Sequence, residues 1–443
     1  MKDVIVVGAG IAGLTLAYRL QRAGRKVIVL ESSANPGGWI QTTQKDGFTL
    51  ECGPNSCSEN PAFLELVKDL DIESELVSAS SESQKRYIVS KDKLVPVPQS
   101  FTQALFTPII STTAKIRLLA EPFMPRSKEN DESVYSFVKR RAGEQFATNI
   151  MSAALNGIWA GDINSLSARS ALNKLWGFEQ EHGSLVMGST KSSKKNIRKI
   201  YSFKTGMGRL VERLMEVIEP GTVRLLSEVH SIEIVDDYYT LKFDKVDTNK
   251  AISGKNVVLT TPTKTTLELL KKYNLFTRSK VEKIPYAPIG ILHLAFPKGA
   301  LGEKLDGFGF LSPSKADQAV LGAIYSSTIF PNRAAEDCEL LTCFTGGLRN
   351  PELANVFDEQ VRDKAIEEIN SLLDPEAHPR VIGAHFYQDA IPNYPINHYE
   401  LQEEIETLNY QDKGIKILSN WFSGVSVGDR IEEARLLADK LAI

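Results

Sequence analysis

The stretch Asp3-Val-Ile-Val-Val-Gly-Ala-Gly-Ile-Ala-Gly13 decides the fold of this 443-residue chain. Its opening apolar run is typical of a buried strand in a parallel sheet. Residues 8–13 form a G-x-G-x-x-G turn, and residues 14–23 continue with apolar side chains at helical spacing. A strand, a glycine turn and a helix in this order predict a dinucleotide site, in which the helix N-terminus holds the pyrophosphate.

A carboxylate completes the predicted nucleotide site. Residues 26–30 predict the second strand, and Glu31 follows it directly, where its side chain can accept hydrogen bonds from ribose hydroxyls. The candidate cofactor-binding residues of this unit are Gly8, Ala9, Gly10, Ile11, Ala12, Gly13, Glu31 and Ser32.

A second glycine turn, formed by Gly37, Gly38 and Trp39, indicates that the cofactor is FAD and not NAD. In FAD enzymes of the glutathione-reductase type the chain returns to the pyrophosphate at such a turn, which simple NAD dehydrogenases lack. The sequence therefore predicts an α/β fold that binds FAD.

A further turn presents backbone N–H groups suited to the ribityl chain or the flavin ring, although on its own it would be interpreted as an ordinary surface turn. Its residues are Gly53, Pro54, Asn55 and Ser56.

The segment from Ile415 to Asp429 predicts a late strand and a turn that face the flavin. Its glycines allow close backbone approach, and a helix beginning at Arg430 would direct its positive dipole end toward the N1–C2=O edge and stabilise reduced flavin. The segment contains no cysteine or histidine, so we expect non-covalent FAD. The candidate contacts are Asn420, Trp421, Gly424, Val425, Ser426 and Val427.

Bulk composition excludes several other functions. A net charge of −3 argues against nucleic acid as a partner. The four cysteines lack zinc or redox spacing and are expected to be reduced thiols, and the six histidines are scattered singly, so we predict neither a metal site nor an acid–base pair. We expect no secretory signal before the first strand, and no apolar run approaches the ~20 residues needed to span a bilayer.

Three longer segments carry a family resemblance. They are Glu31-Ser-Ser-Ala-Asn-Pro-Gly-Gly-Trp-Ile40, Glu51-Cys-Gly-Pro-Asn-Ser56 and Gly157-Ile-Trp-Ala-Gly-Asp-Ile-Asn-Ser-Leu-Ser-Ala-Arg-Ser-Ala171. Together they resemble protoporphyrinogen oxidases, particularly the plant-like branch, and the third segment is the most specific. The similarity covers essentially the whole chain. Departures are Ser419 before Asn420, where the family has glycine, and Trp159, where it has tyrosine.

The resemblance implies a six-electron oxidation of protoporphyrinogen IX to protoporphyrin IX, with O2 as acceptor and H2O2 released, the penultimate step of haem synthesis. The flavin N5 would accept the hydride, so no catalytic side chain is expected. Carried over by position, Arg86 would pair with a substrate propionate, as its planar fork permits. The other positions implied are Gly157 beside the macrocycle, Leu311, Ile324 and Phe344 around its rings, and the Val229 backbone at the adenine.

The resemblance also implies three domains and a membrane-surface location. They are a Rossmann-like FAD domain (1–80, 200–280 and 411–443), an α+β substrate domain (81–90 and 281–410) and a helical membrane-associated domain (91–199). Within the last, the apolar stretch 101–124 with Lys115, Arg117 and Arg126 suits interfacial contact, with buried core as the alternative. The expected enzyme is a homodimer, peripherally attached on the cytoplasmic side.

Several other functions stay open at the level of sequence. One is the oxidation of coproporphyrinogen III, whose extra carboxylates need more cations. Another is a different FAD oxidase of the same fold, such as an amine oxidase or a carotenoid desaturase. A third is a flavin-bearing carrier that binds porphyrin without turnover.

Overall fold

A mostly parallel sheet gathers strands from three distant parts of the chain. The computed structural model describes residues 1–98, 103, 106–191, 199–235, 238–245, 248–313, 318–411 and 414–442. In these ranges the strands of the sheet, in spatial order, are Val223–Arg224, Val27–Leu30, Lys2–Val7, Thr248–Leu259, Tyr238–Lys245 and Ser227–Val235. The long strand Thr248–Leu259 also pairs in parallel with Gly414–Ile417 near its carboxyl end.

Helices cover both faces of this sheet, as its buried parallel strands require. One face packs on Ile11–Arg22, Pro61–Asp69, Gly208–Val217 and Val427–Leu441. The other face packs on Thr263–Leu269, Arg278–Glu282 and His398–Asn409. The predicted α/β architecture is therefore confirmed.

A second, mainly antiparallel sheet lies beside the first. Its strands in the described chain, in spatial order, are Arg380–Pro392, Tyr286–Pro297, Cys338–Gly346, Val320–Ile324, Gly309–Leu311, Tyr87–Ser90 and Lys93–Pro96. One face buries its apolar residues against the helix Glu359–Leu373. The other face looks toward the helical region and carries the candidate substrate residues described below.

The helical region is held together by its own core and by a buried ion cluster. Its helices are Thr112–Leu119, Val134–Ala142, Phe146–Met151 (a π-helix), Ser152–Trp159, Ala168–Ala171, Asn173–His182 and Leu185–Lys191. Arg141 is fully buried and donates from Nε to Oε1 of Glu121 at 2.8 Å, so its charge is balanced. In the part of the chain that the structure describes, no helix is long and apolar enough to traverse a bilayer.

Short elements complete the fold. The small strands are Thr42–Lys45, Phe48–Glu51, Cys57–Ser58, Leu76–Ser78 and Ile200–Phe203, and the single helical turns are Glu73–Glu75, Ser81–Gln84, Glu121–Phe123, Gly302–Leu305, Ser326–Ile329 and Pro351–Ala354. All four cysteines are free thiols, as expected.

Two details of the sequence prediction are corrected. The basic composition of residues 183–199 predicts a loop, but Leu185–Lys191 is helical; residues 192–198 lie outside the described chain. The helix predicted to begin at Arg430 begins at Val427 instead, because Ser426 caps it. The predicted domain boundaries stay a prediction, although a division at residue 91 would cut the hairpin between Tyr87–Ser90 and Lys93–Pro96.

Candidate active site

The first glycine turn has the geometry that a pyrophosphate needs. Gly8 adopts φ +107°, and a Cβ on Gly13 would lie 2.1 Å from the Gly8 carbonyl oxygen, so helix and strand can pack only with glycine there. Gly10 is the N-cap of the helix Ile11–Arg22, and no side chain caps that helix. A Cβ on Gly10 would meet nothing within 4 Å. Uncapped helix N–H groups below open space fit the phosphates of FAD.

The second glycine turn lies directly against the first. The Gly37 N–H donates to the Ala9 carbonyl at 2.8 Å, and Gly10 and Gly37 form a parallel β-bridge. A Cβ on Gly38 would be 3.4 Å from the Gly10 Cα. The structure therefore brings the two turns together, as the FAD prediction requires.

Glu31 lies at the end of its strand and faces the first turn. Its carboxylate accepts from the Ala9 N–H at 2.7 Å and from the Ser33 N–H at 2.9 Å, while Ser32 is exposed beside it. The strand that contains Val229 begins next to Glu31, whose carbonyl accepts from the Ser227 N–H at 2.7 Å. A β-bulge interrupts the register after Val229, a place where backbone groups can leave the ladder for a ligand.

The Gly53–Ser56 turn packs on the second glycine turn. A Cβ on Gly53 would lie 1.9 Å from the Trp39 carbonyl oxygen, so only glycine allows this approach. Trp39 keeps 42% of its surface exposed, and its ring meets Tyr387 edge-on with centroids 4.8 Å apart. Asn55 donates from its side chain to the Gly53 carbonyl at 3.2 Å. These residues line the route from the pyrophosphate toward the second sheet.

The closing loop, residues 418–426, reaches the same edge of the sheet. Strand Gly414–Ile417 lies two strands from Lys2–Val7, or roughly 10 Å at the usual strand spacing. Thr260 and Thr261, at the end of the strand between them, connect the first glycine turn to the closing loop. The Thr260 hydroxyl donates to the Gly8 carbonyl at 3.1 Å, and the Thr261 carbonyl accepts from the Ser419 hydroxyl at 3.0 Å. The two ends of the chain converge on one cleft.

Trp421 is a candidate contact whose side chain the structure places elsewhere. Its indole is fully buried in the core, and Nε1 donates to the Thr261 carbonyl at 3.0 Å. Only the backbone of Trp421 can therefore face the cofactor. Val427 is also buried in the core, whereas Gly424 adopts φ +60° and Val425 is half-buried at the rim of the helical core.

The start of the last helix changes the predicted electrostatics. Ser426 accepts from the Asp429 N–H at 3.1 Å, and the Asp429 carboxylate accepts from the Ser426 N–H at 3.2 Å. Asp429 therefore lies in the first turn of the helix and not before it. In the first turn its negative charge offsets part of the helix dipole. The expected positive end near the flavin is weaker than the sequence prediction assumed.

Replacing the cap tests this assignment of the helix start. We expect Ser426→Ala to lower the free energy of unfolding by about 1 kcal/mol, the usual loss when an N-cap side chain is removed. Ser371→Ala, at an exposed position inside the helix Glu359–Leu373, serves as the matched control for stability. Equal loss in both variants in urea unfolding of the FAD-free protein would contradict a helix start at Val427.

The apolar substrate candidates share one face of the second sheet. Leu311 pairs with Gly322, and Gly322 pairs with Phe344, so the two side chains lie in one cross-strand row. Ile324 is two residues after Gly322 and points the same way. Each of the three is half-buried. Gly157 faces them, since a Cβ there would lie 2.8 Å from the Leu311 Cδ2. The structure therefore brings these four residues together.

Arg86 is at the rim of the same face. Ile88, two residues after Arg86, pairs with Leu311, so Arg86 lies on the side of the strand that Ile88 faces. The Arg86 carbonyl accepts from the Val97 N–H, which keeps the backbone at Arg86 extended. Its guanidinium carbon is 5.2 Å from the centroid of Phe308. The side chain retains exposed surface, yet surrounding protein lowers its pKa from the ordinary value. In the described ranges no carboxylate pairs with it, which leaves the fork available for an anion.

Sequence reasoning missed several residues at this site. Glu51, whose pKa burial raises to about 7, accepts from the Met207 N–H at 2.8 Å and lies 3.5 Å from the buried Arg333. Tyr387 joins Trp39 to the core around Phe344. The pairings depend on contacts across more than 100 positions of sequence, so no local pattern identifies them. No cluster of metal-ligating side chains occurs among the residues that the structure describes.

Comparison with known proteins shows similarity to flavoproteins over almost the whole chain. The family model described as flavin containing amine oxidoreductase matches residues 11–442. A chloroplastic protoporphyrinogen oxidase 1 of Spinacia oleracea is 29% identical, over 98% of this chain and 82% of its own length. The coproporphyrinogen III oxidase of Bacillus subtilis is 25% identical, over 98% and 96%. A structure from Exiguobacterium sp. 255-15, provisionally named protoporphyrinogen oxidase, covers 100% of this chain and 98% of its own with a TM-score of 0.83 at 23% identity.

Proposed function

Because the chain belongs to the family of flavin-containing amine oxidoreductases and so uses FAD, we propose that it oxidises protoporphyrinogen IX to protoporphyrin IX with O2 as acceptor. FAD, when bound, supplies the hydride acceptor. The observation that carries the proposal is the half-buried apolar face of Leu311, Ile324 and Phe344, with Arg86 at its rim, a cation that no carboxylate of the described chain pairs with. An apolar ring system with acidic tails needs this combination.

The protein's own task is binding and orientation. The apolar face would take the tetrapyrrole rings and exclude water, while the Arg86 fork would fix one propionate. In the described chain the buried histidines offer no acid–base dyad at this face: burial lowers the pKa of His293 to about 3, and its Nδ1 meets only the Thr342 hydroxyl at 3.3 Å. In the proposed reaction, positioning therefore matters more than proton transfer by side chains.

An aerobic assay with three substrates tests the proposal. Purified protein is mixed with protoporphyrinogen IX, coproporphyrinogen III or a diamine, and both porphyrin fluorescence and H2O2 are read against heat-killed enzyme. We expect protoporphyrin with three H2O2 per porphyrin, which balances the six electrons. H2O2 from the diamine alone would overturn the proposal and favour an amine oxidase.

Coproporphyrinogen III is the second candidate substrate, because the relative from Bacillus subtilis carries that name. Its four carboxylates need more cations than protoporphyrinogen, which has two. Competition between the two porphyrinogens gives the ratio of kcat/KM values directly. We expect this ratio to favour protoporphyrinogen, and a ratio below one would assign the enzyme to coproporphyrinogen.

We also propose that the helical region contacts a membrane surface as a peripheral protein on the cytoplasmic side. Phe106 and Phe123 are 85% and 84% exposed, and Ile116 and Leu119 are also exposed. Lys115 and Arg126 flank them, whereas the third predicted cation, Arg117, donates to the Arg140 and Arg141 carbonyls. The other residues of the predicted apolar stretch at 101, 102, 104 and 105 lie outside the described chain. Exposed apolar side chains beside cations suit an anionic lipid interface.

The association of two chains into a homodimer stays a prediction.

A double substitution tests the membrane surface. We expect Phe106→Ser with Phe123→Ser to weaken binding to anionic vesicles at least tenfold, because each buried phenyl group contributes about 1.5–3 kcal/mol. Phe357→Ser is the matched control, since Phe357 is 64% exposed near the helix Glu359–Leu373. Vesicle co-sedimentation measures both variants. Equal weakening in both, or in neither, would contradict the assignment.

A further inference from the structure

Three buried side chains hold the closing loop from beneath. The Tyr394 hydroxyl donates to the Asn420 carbonyl at 2.6 Å, the His398 Nε2 is 3.2 Å from the Phe422 carbonyl, and the Arg430 Nη2 donates to the Ser423 hydroxyl at 3.1 Å. They come from the end of the second sheet, from the helix His398–Asn409 and from the last helix. Separate elements thus fix three nearly successive points of one loop.

His398 is held in one neutral form. Its ring stacks on Tyr394 with centroids 4.2 Å apart and planes within 9°, and only 3% of its surface is exposed. Burial lowers the pKa of His398 to about 4 although the Phe422 carbonyl favours the charged form. Because a carbonyl can only accept, Nε2 must carry the proton. The ring and the loop therefore keep the same contact throughout the neutral pH range.

Arg430 is a cation buried with incomplete compensation. It is 5% exposed, and its Nε and Nη1 have no hydrogen-bond partner in the part of the chain that the structure describes. The groups that face it are Tyr394, Asp429 and Glu433, and burial lowers its pKa. A buried guanidinium with free donors costs stability. In the described chain, the hydrogen bond that its guanidinium does make is to Ser423 of the closing loop.

We propose that Tyr394, His398 and Arg430 are positioning residues that fix the backbone of residues 420–423 in the conformation that contacts FAD. The proposal rests on FAD as the cofactor and on the place of the loop at the carboxyl edge of the sheet. It does not depend on which porphyrinogen is oxidised. A loop fixed in advance binds its ligand more tightly, because less order has to be imposed on binding.

Two variants, one at Arg430 and one at Tyr394, test the proposal with readouts that separate positioning from stability. Arg430→Met removes the buried charge, so we expect the FAD-free protein to unfold at the same urea concentration or a higher one, yet to bind FAD at least tenfold more weakly. Tyr394→Phe keeps the stacked ring and is expected to weaken FAD binding about fivefold. Arg430→Lys should restore part of the affinity. In both weakened variants the visible spectrum of bound flavin should shift.

The controls lie nearby but away from the loop. Tyr410→Phe alters an exposed tyrosine, and Arg435→Met alters an arginine of the same helix that pairs with Glu432 and Asp439. Neither should change FAD affinity. Wild-type FAD affinity and an unshifted flavin spectrum in both Arg430→Met and Tyr394→Phe would overturn the proposal. If Arg430→Met does not fold, the Tyr394→Phe measurement alone decides.

Discussion

Gly10→Ala is expected to yield a folded but colourless protein without oxidase activity. A Cβ at Gly10 meets no protein atom within 4 Å, and its φ of −69° suits any residue, so the fold should tolerate alanine. The same methyl group would occupy the space through which the pyrophosphate approaches the helix N-terminus. We expect FAD affinity to fall on the order of a hundredfold, measured by FAD titration of the apoprotein.

Gly13→Ala and Gly177→Ala are the two controls for the Gly10→Ala variant. At Gly13 the added carbon would lie 2.1 Å from the Gly8 carbonyl oxygen, so this variant should lose both stability and FAD. At Gly177, within a helix and with nothing near its Cβ, alanine should leave FAD affinity unchanged. Retained FAD in Gly10→Ala would show that the cofactor does not lie on this turn.

Arg86→Met is expected to raise the KM for protoporphyrinogen roughly 10- to 100-fold while kcat changes little. A hydrogen bond to a charged group contributes about 1.5–3 kcal/mol, and every 1.4 kcal/mol is a factor of ten. A contact made equally in ground and transition states affects KM alone. Steady-state kinetics separates the two parameters, with FAD content measured in the same samples.

Two further variants make the Arg86 result specific. Arg86→Lys keeps the charge without the planar fork and should recover only part of the KM. Arg380→Met removes an exposed arginine at the start of the strand Arg380–Pro392 and should leave KM unchanged. An unaltered KM in Arg86→Met would remove the propionate contact from the proposal.

The nucleotide half of the site was predictable because its information is local. The turn at residues 8–13 follows its strand and precedes its helix within one short stretch, and each glycine has a steric reason. The start of the last helix at Val427 is also encoded locally, since Ser426 and Asp429 have the spacing of a capping box. The three glycine turns and Glu31 therefore lie where the residues indicated.

The remaining contacts depend on pairings that no local pattern contains. Trp421 reads as a flavin contact, but the Thr261 carbonyl on the neighbouring strand holds its indole in the core. Tyr394 and Arg430 meet the loop only after two distant elements have packed. Leu311 and Phe344 share a face only because both pair with the strand Val320–Ile324 between them. The family resemblance, and not the composition, selected Leu311 and Phe344.

Anaerobic mixing of the FAD-loaded enzyme with protoporphyrinogen IX tests the central claim most directly. The account predicts that the yellow absorption of the flavin disappears as porphyrin precursor is oxidised, and that it returns when O2 is admitted, with H2O2 formed. A flavin that stays oxidised in the presence of bound protoporphyrinogen would contradict the account and leave a carrier or an oxidase of another substrate.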